Sequence, residues 1–107
     1  MSPVRAISEH EIAVFREHGV AKLSGLVALD LVEEMRVALD EHVAHPGQWV
    51  TDAGFRSQRC FGLGDPVLSG YLLDPVLGEN AARAMGSTTA NFFFDHMFLF
   101  EPDTPID

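Results

Sequence analysis

The apolar positions in the first part of the chain follow the period of an α-helix. Ile12 and Phe15 fall on one side of a segment that opens at Ser8 and closes at Gly19. Ser8 and Glu11 have the spacing of a capping box, in which each side chain bonds the other residue's backbone N–H. Gly19 is suited to the left-handed conformation that ends many helices. The pattern predicts a first helix between Ser8 and Gly19.

A second helical pattern covers about residues 28–43 and separates an apolar side from a charged side. Its apolar positions recur at the spacing typical of an amphipathic helix that lies on a core. They are Leu31, Met35, Ala38, Leu39 and Val43. The opposite side carries Glu33, Glu34, Arg36, Asp40 and Glu41. Between the two helices, residues 20–23 are predicted to form a short strand.

Two Asp-Pro pairs mark the starts of two further helices. Aspartate is a favoured N-cap, and proline at the first helical position has no N–H to leave unpaired. Asp65-Pro66 is predicted to open a short helix through about Leu72. Asp74-Pro75 is predicted to open a helix that Gly86 closes.

The last apolar stretch runs from Phe92 to Phe100 and is typical of a strand buried on both faces. The residues before it can cover one face, and residues 48–64 are predicted to form a loop with one short strand. We expect a protein partner or a second copy of the chain on the other face. An uncovered apolar strand edge would otherwise favour aggregation.

Composition narrows the classes of function. The chain has 107 residues, 47% of them hydrophobic, and a formal net charge of −9 with no basic stripe. This charge argues against nucleic acid and anionic membrane surfaces as partners. The single cysteine, Cys60, cannot form an intramolecular disulfide, and the sequence has neither a signal core nor an apolar run of membrane-spanning length. We expect a cytoplasmic protein of one domain, residues 1–107.

In their order and spacing, these segments resemble the N-terminal portion of the phytanoyl-CoA dioxygenase family of Fe(II)- and 2-oxoglutarate-dependent oxygenases. The similarity includes the His18-Gly19 and Gly25-Leu26 pairs after the first helix and the Asp74-Pro75 helix start. The similar stretches are residues 12–26, 31–40, 72–77, 84–86 and 94–102. The resemblance implies an α+β fold, in which N-terminal helices pack on the first strands of an incomplete double-stranded β-helix, or jelly roll.

The resemblance also implies which parts of the family's chemistry this sequence lacks. In the family, a His-x-Asp pair and a distal His bind iron. Residues 104–107 reach the first of these segments, with Asp107 where the first iron-binding His would fall, and Phe100 stands at the usual lysine for 2-oxoglutarate. We therefore expect no catalytic, metal-binding or cofactor-binding residue, and neither Fe(II) nor 2-oxoglutarate bound by this chain alone. The residues expected to line the family's substrate entrance are Arg56, Arg59, Phe94, His96 and Phe98.

Other chemistry-bearing residues have ordinary structural interpretations. His42 and His45 have a spacing that can hold a metal, but no third ligand is evident and a helix C-terminus favours histidine anyway. Cys60 is expected to be a buried structural thiol, because no positioned base is visible. Asp95 is expected to pair with Arg56 or Arg59, since a buried carboxylate needs a partner.

Three hypotheses remain open from the sequence. The chain is the N-terminal part or subunit of a phytanoyl-CoA-dioxygenase-like hydroxylase, inactive alone because the iron triad is missing. Alternatively, it is a non-catalytic protein that binds a small apolar ligand or a partner through residues 92–100. In the third hypothesis the edge of this strand pairs with its own copy in a homodimer.

Overall fold

The computed structural model describes residues 2–45, 50–52, 55–59, 62–92 and 95–100. The helices are α1 (Glu9–His18), α2 (Leu29–Ala44), α3 (Pro66–Leu72) and α4 (Pro75–Met85), with one 3₁₀ turn at Gly62–Gly64. The strands are β1 (Val50–Asp52), β2 (Phe55–Arg59) and β3 (His96–Phe100). They form an antiparallel sheet in the order β1-β2-β3.

Helix α1 begins and ends at the predicted residues. The Ser8 hydroxyl accepts from the Glu11 N–H at 3.1 Å, and the Glu11 carboxylate accepts from the Ser8 N–H at 2.8 Å. Gly19 has a φ of 76° and its N–H donates to the Phe15 carbonyl. The capping box and the glycine ending are therefore both confirmed.

Helix α2 also confirms its pattern. It spans Leu29–Ala44, and its charged side is exposed. Of the predicted apolar positions Ala38 is buried, and the half-buried ones are Leu31, Met35, Leu39 and Val43. On that side the Arg36 guanidinium bonds Glu33 at 3.0 Å and Asp40 at 2.7 Å. These pairs lie one turn apart on the exposed face, as amphipathic helices arrange them.

The two Asp-Pro helix starts are confirmed as well. The Asp65 carboxylate accepts from the N–H groups of Val67 and Leu68, and the Asp74 carboxylate accepts from Val76. Helix α4 ends at Gly86, which has a φ of 71°.

The core lies between helices and the N-terminal residues. Helix α1 packs on α4, and α2 packs on α3. Val4 bridges Val27, and backbone bonds from Arg5 to Leu26 and from Ala28 to Pro3 fix the residues before α1 against the start of α2. The buried apolar residues of the described part are Val4, Ile7, Ile12, Ala38, Leu68 and Ala82.

The predicted α+β fold with helices on an incomplete jelly roll is wrong. The described residues are mainly helical, and the helices pack on one another and on the N-terminal residues Val4 and Ile7. The strands form a short meander instead of a strand layer under the helices.

Three predictions for strands also need correction. Residues 20–23 form no strand. The last strand begins only at His96, since residues 88–92 are irregular. Within 48–64, the described residues form two short strands, β1 and β2, where one was predicted.

Candidate functional site

One concavity of the described part is a groove between α1, α4 and the connection after α1. Its volume is about 410 Å³. We call it the α1/α4 groove. Its lining residues are Ile7, Glu11, Ile12, Phe15, Gly19, Val20, Ala21, Leu23, Leu26, Leu77, Asn80, Ala81 and Ala84. Glu11 is the one charged side chain among them, so the groove is an apolar surface.

The base of the groove is built from residues on both sides of the Ser8 cap. Ile7 and Ile12 are 5% and 6% exposed. They hold the two positions of a hydrophobic staple, directly before the N-cap and at the fourth helical residue. The staple fixes the angle at which the chain enters α1.

Asn80 of α4 ties the N-terminal segment to the wall of the groove. Its carbonyl oxygen accepts from the Ile7 N–H at 3.0 Å, and its amide nitrogen donates to the Arg5 carbonyl at 2.8 Å. Asn80 is buried, so these bonds satisfy groups that would otherwise be costly to bury. The amide therefore has a structural role and both its ends are engaged within the protein.

Arg5 and Glu11 form a bidentate ion pair beside the groove. Both of its hydrogen bonds measure 2.8 Å. The same guanidinium donates to the Ser24 carbonyl at 2.6 Å, which holds the connection after α1 in place. The hydrogen bond from Arg5, helped by the Ser8 N–H, lowers the pKa of Glu11 to about 2. Glu11 is thus a charged, paired carboxylate at neutral pH, unsuited to act as a general base.

Two apolar side chains at the edge of the groove are open to solvent. Phe15 is 37% exposed and Val20 is 68% exposed. An apolar concavity bordered by exposed apolar side chains is typical of a binding surface. A ligand or partner would bind to this surface by burying apolar groups.

A second concavity lies between α4 and residues 88–92. It has a volume of about 400 Å³ and a more polar lining that includes Asp74, Glu79 and Thr88. The Asp74 carboxylate already accepts from the Ser2 hydroxyl at 2.9 Å and from the Val76 N–H at 2.8 Å. This acidic group is therefore used in capping and in fixing the N-terminus.

The sequence-predicted substrate-lining residues lie elsewhere. The backbone of β2 carries Arg56 and Arg59, and that of β3 carries His96 and Phe98. The register sets Arg59 opposite His96, so these four residues lie on neighbouring strands. Their side chains, and the whole of Phe94, lie outside the described part of the structure, as do Cys60 and Asp107. The described lining of the α1/α4 groove includes none of them.

Asp95 precedes β3, and its carboxylate accepts from the Gly62 N–H at 3.0 Å. A Cβ added at Gly62 would lie 2.7 Å from the end of the Leu72 side chain and 3.1 Å from this carboxylate, so a larger residue here would require Leu72 to shift. The predicted pairing of Asp95 with Arg56 or Arg59 falls on side chains outside the described residues and stays a prediction.

The two histidines with metal-binding spacing have different surroundings. The His42 ring nitrogen lies 3.1 Å from the Asp65 carboxylate, whereas His45 is exposed at the end of α2. Bonds from the Leu68 N–H and from His42 keep the pKa of Asp65 below its usual value. Across residues 2–45, 62–92 and the other described segments, no three His, Cys, Asp or Glu side chains are grouped to hold a metal ion. The position at which the resemblance would place iron, residues 104–107, lies outside these segments.

The α1/α4 groove was not predicted from the sequence, because residues 1–7, which include Ile7, were assigned to no element. The staple spacing of Ile7 and Ile12 was the available signal. No local signal marks Asn80, whose partners lie more than 70 residues away.

Comparison of the chain with protein-family models, with curated proteins and with solved structures found no match. Among the described helices, none has the length and apolarity needed to cross a membrane.

Proposed function

We propose that this chain is a non-catalytic assembly subunit that is completed by a partner polypeptide at the α1/α4 groove. The observation that carries the proposal is the α1/α4 groove, an apolar concavity bordered by the exposed side chains of Phe15 and Val20. The exposed area of the whole chain, which includes residues outside the described part, agrees with it. The chain exposes 7676 Å². A compact monomer of its mass would expose about 5,900 Å² by the size scaling of folded proteins, leaving an excess of about 1,800 Å².

The dimensions of the chain agree with this excess. The radius of gyration is 15.6 Å, against about 13 Å for a compact domain of this length. An excess of about 1,800 Å² is what one partner contributes to an obligate interface, where the total buried area exceeds about 2,000 Å². The α1/α4 groove is the apolar concavity in the described part at which such burial would be favourable.

A second candidate is a subunit of a phytanoyl-CoA-dioxygenase-like hydroxylase, in which the partner supplies the iron triad. The resemblance of the sequence is its basis, including the His18-Gly19 and Gly25-Leu26 pairs and the Asp74-Pro75 pair. In this case Fe(II) and 2-oxoglutarate would be bound by the partner's residues. A cytoplasmic location is part of both proposals, on the basis of the lone Cys60.

Native mass spectrometry combined with urea unfolding tests the assembly proposal. We expect a species heavier than the 11.7 kDa chain. We also expect the isolated monomer, obtained by dilution, to have little stability of its own. A lone monomer with a cooperative unfolding free energy above about 5 kcal/mol, the ordinary range for a complete domain, would contradict the proposal.

Succinate formation separates the two candidates. The chain alone, supplied with Fe(II) and 2-oxoglutarate, is expected to release no succinate above a metal-free control. If a native heteromer is recovered and turns over 2-oxoglutarate, the hydroxylase candidate is favoured. Turnover by the chain alone would contradict its non-catalytic assignment.

A further inference from the structure

We infer that the partner at the α1/α4 groove is a second copy of this chain, docked groove to groove about a two-fold axis. The inference rests on the proposed assembly function and names its partner. Three observations carry it: the distribution of charge, the shape of the groove and its border, and the area available.

The distribution of charge favours the groove face as the place where two acidic copies meet. The chain carries −9 overall, so two copies repel each other at most orientations. Residues 5–23 nevertheless contain three acidic and three basic side chains, and α4 contains one of each. Helix α2, by contrast, contains five acidic side chains and one basic side chain. The helices that bound the groove therefore form a neutral face that an equally acidic copy can approach.

Charged groups on the neutral face also offer both signs to a twofold-related copy. Glu17 and Lys22 are exposed before and after the groove residue Val20 in the chain, and the exposed Glu9 pairs with Arg83 of α4 at 2.9 Å. In a two-fold arrangement every contact is reciprocal, so an acidic residue that meets a basic residue of the mate forms that pair twice. The rim can therefore form pairs of opposite charge, which a uniformly acidic face could not.

The α1/α4 groove provides a concavity, and its border provides apolar side chains that can enter the groove of a second copy. Val20 and Phe15 line the groove and remain 68% and 37% exposed. A two-fold contact requires a self-complementary patch, and a groove bordered by its own projecting side chains meets this requirement. Val20 of each copy would lie in the groove of the other.

The available area fits a homodimer. An excess of about 1,800 Å² per chain gives about 3,600 Å² for two chains, which is within the range of obligate homodimer interfaces. A small ligand in a groove of 410 Å³ would leave most of this excess uncovered.

Sedimentation equilibrium of the purified protein tests the inference. The wild-type chain is expected at twice 11.7 kDa in the micromolar range. Val20→Glu places a charge in the partner's groove and is expected to weaken association at least about tenfold, as for a residue at the centre of an interface. Leu29→Glu is the matched control, because Leu29 is 85% exposed on α2. It is expected to leave the dissociation constant within about twofold.

Far-ultraviolet circular dichroism, at a protein concentration well above the dissociation constants of wild type and variants, verifies that both variants keep the helical content of the wild type. Val20 is largely exposed within one chain, so its substitution does not disturb the monomer core. A wild-type monomer in the micromolar range, or a heteromer as the native species, would overturn the second copy as partner. A dimer that withstands Val20→Glu, or that Leu29→Glu dissociates equally, would overturn the groove as its interface.

Failure of this inference is distinguishable from failure of the assembly function. A wild-type monomer with low stability in urea removes the homodimer and leaves the need for another partner. A wild-type monomer with the stability of a complete domain removes both.

Discussion

At the scale of single residues, Glu11 joins two local structures. Its carboxylate completes the capping box with Ser8 and pairs with Arg5, which in turn bonds Ser24. The bond from Arg5 lowers the pKa of Glu11 to about 2 from an ordinary 4.5. Because the folded state favours the ionised form, its stabilising effect is fully present above pH 4.5. The effect is lost as the pH falls towards 2.

The prediction is that Glu11→Gln removes this part of the acid sensitivity. Glutamine at the third helical position still bonds the Ser8 N–H, but it cannot form the charged pair with Arg5. The urea midpoints of the two proteins are expected to differ most above pH 4.5 and to converge near pH 2. Glu34→Gln, on the exposed side of α2, is the control. A gap between Glu11→Gln and wild type that stays constant with pH would exclude the ion pair as its cause.

Contacts within one helical turn could be predicted from the sequence, and contacts between distant segments could not. The Ser8 and Glu11 interaction could be predicted, because both groups lie within one helical turn. Asn80 could not, since its partners Arg5 and Ile7 become neighbours only when α4 packs on α1. The charged side of α2 could be predicted from its spacing. Asn80, which fixes the wall of the groove, has no feature in the sequence that distinguishes it from other polar residues of a helix.

At the scale of elements, helices with local signals were predicted within a residue or two. The Asp-Pro starts and the glycine endings depend on the backbone of their own turn. The strand at residues 20–23 was wrong because a strand needs a partner, which local sequence does not supply. That segment is instead set between the left-handed Gly19 and Gly25, and Arg5 fixes the turn that follows it.

Two glycine substitutions separate conformational strain from helix propensity. A Cβ at Gly19 or at Gly78 meets nothing within 4 Å, so neither change causes a clash. Gly19 has a φ of 76°, and Gly19→Ala is expected to destabilise the chain by about 1 kcal/mol. Gly78 lies inside α4, and Gly78→Ala is expected to stabilise it by about 0.5–1 kcal/mol.

Urea unfolding of both variants at one protein concentration measures these opposite signs. Gly19→Asn provides a further check, because asparagine tolerates the left-handed conformation better than alanine and should recover part of the loss. Destabilisation by Gly78→Ala would show that the position is constrained by something other than helix propensity.

At the scale of the whole molecule, the predicted fold class was wrong because the sequence of one segment does not show which other segment it packs on. The apolar side of α2 and the side of α1 that carries Ile12 and Phe15 predict surfaces that pack on a core, but not which elements form that core. The structure pairs α1 with α4 and α2 with α3, and it brings Val4 into the core. The jelly roll was predicted only from the family resemblance. The α1/α4 groove forms where two helices pack together, and the sequence of either helix alone does not predict that pairing.

The net charge of the whole molecule determines how salt should act on the inferred dimer. Two copies carrying −9 each repel over long distances, whereas the facing surfaces are neutral and apolar. Raising NaCl from about 0.01 M to about 1 M shortens the Debye length from about 30 Å to about 3 Å and screens this repulsion. The dissociation constant from sedimentation equilibrium is therefore expected to fall severalfold with added salt. Val20→Glu should remain more weakly associated at both concentrations. Weaker wild-type association at high salt would mean that ion pairs, not burial of the groove, hold the copies together.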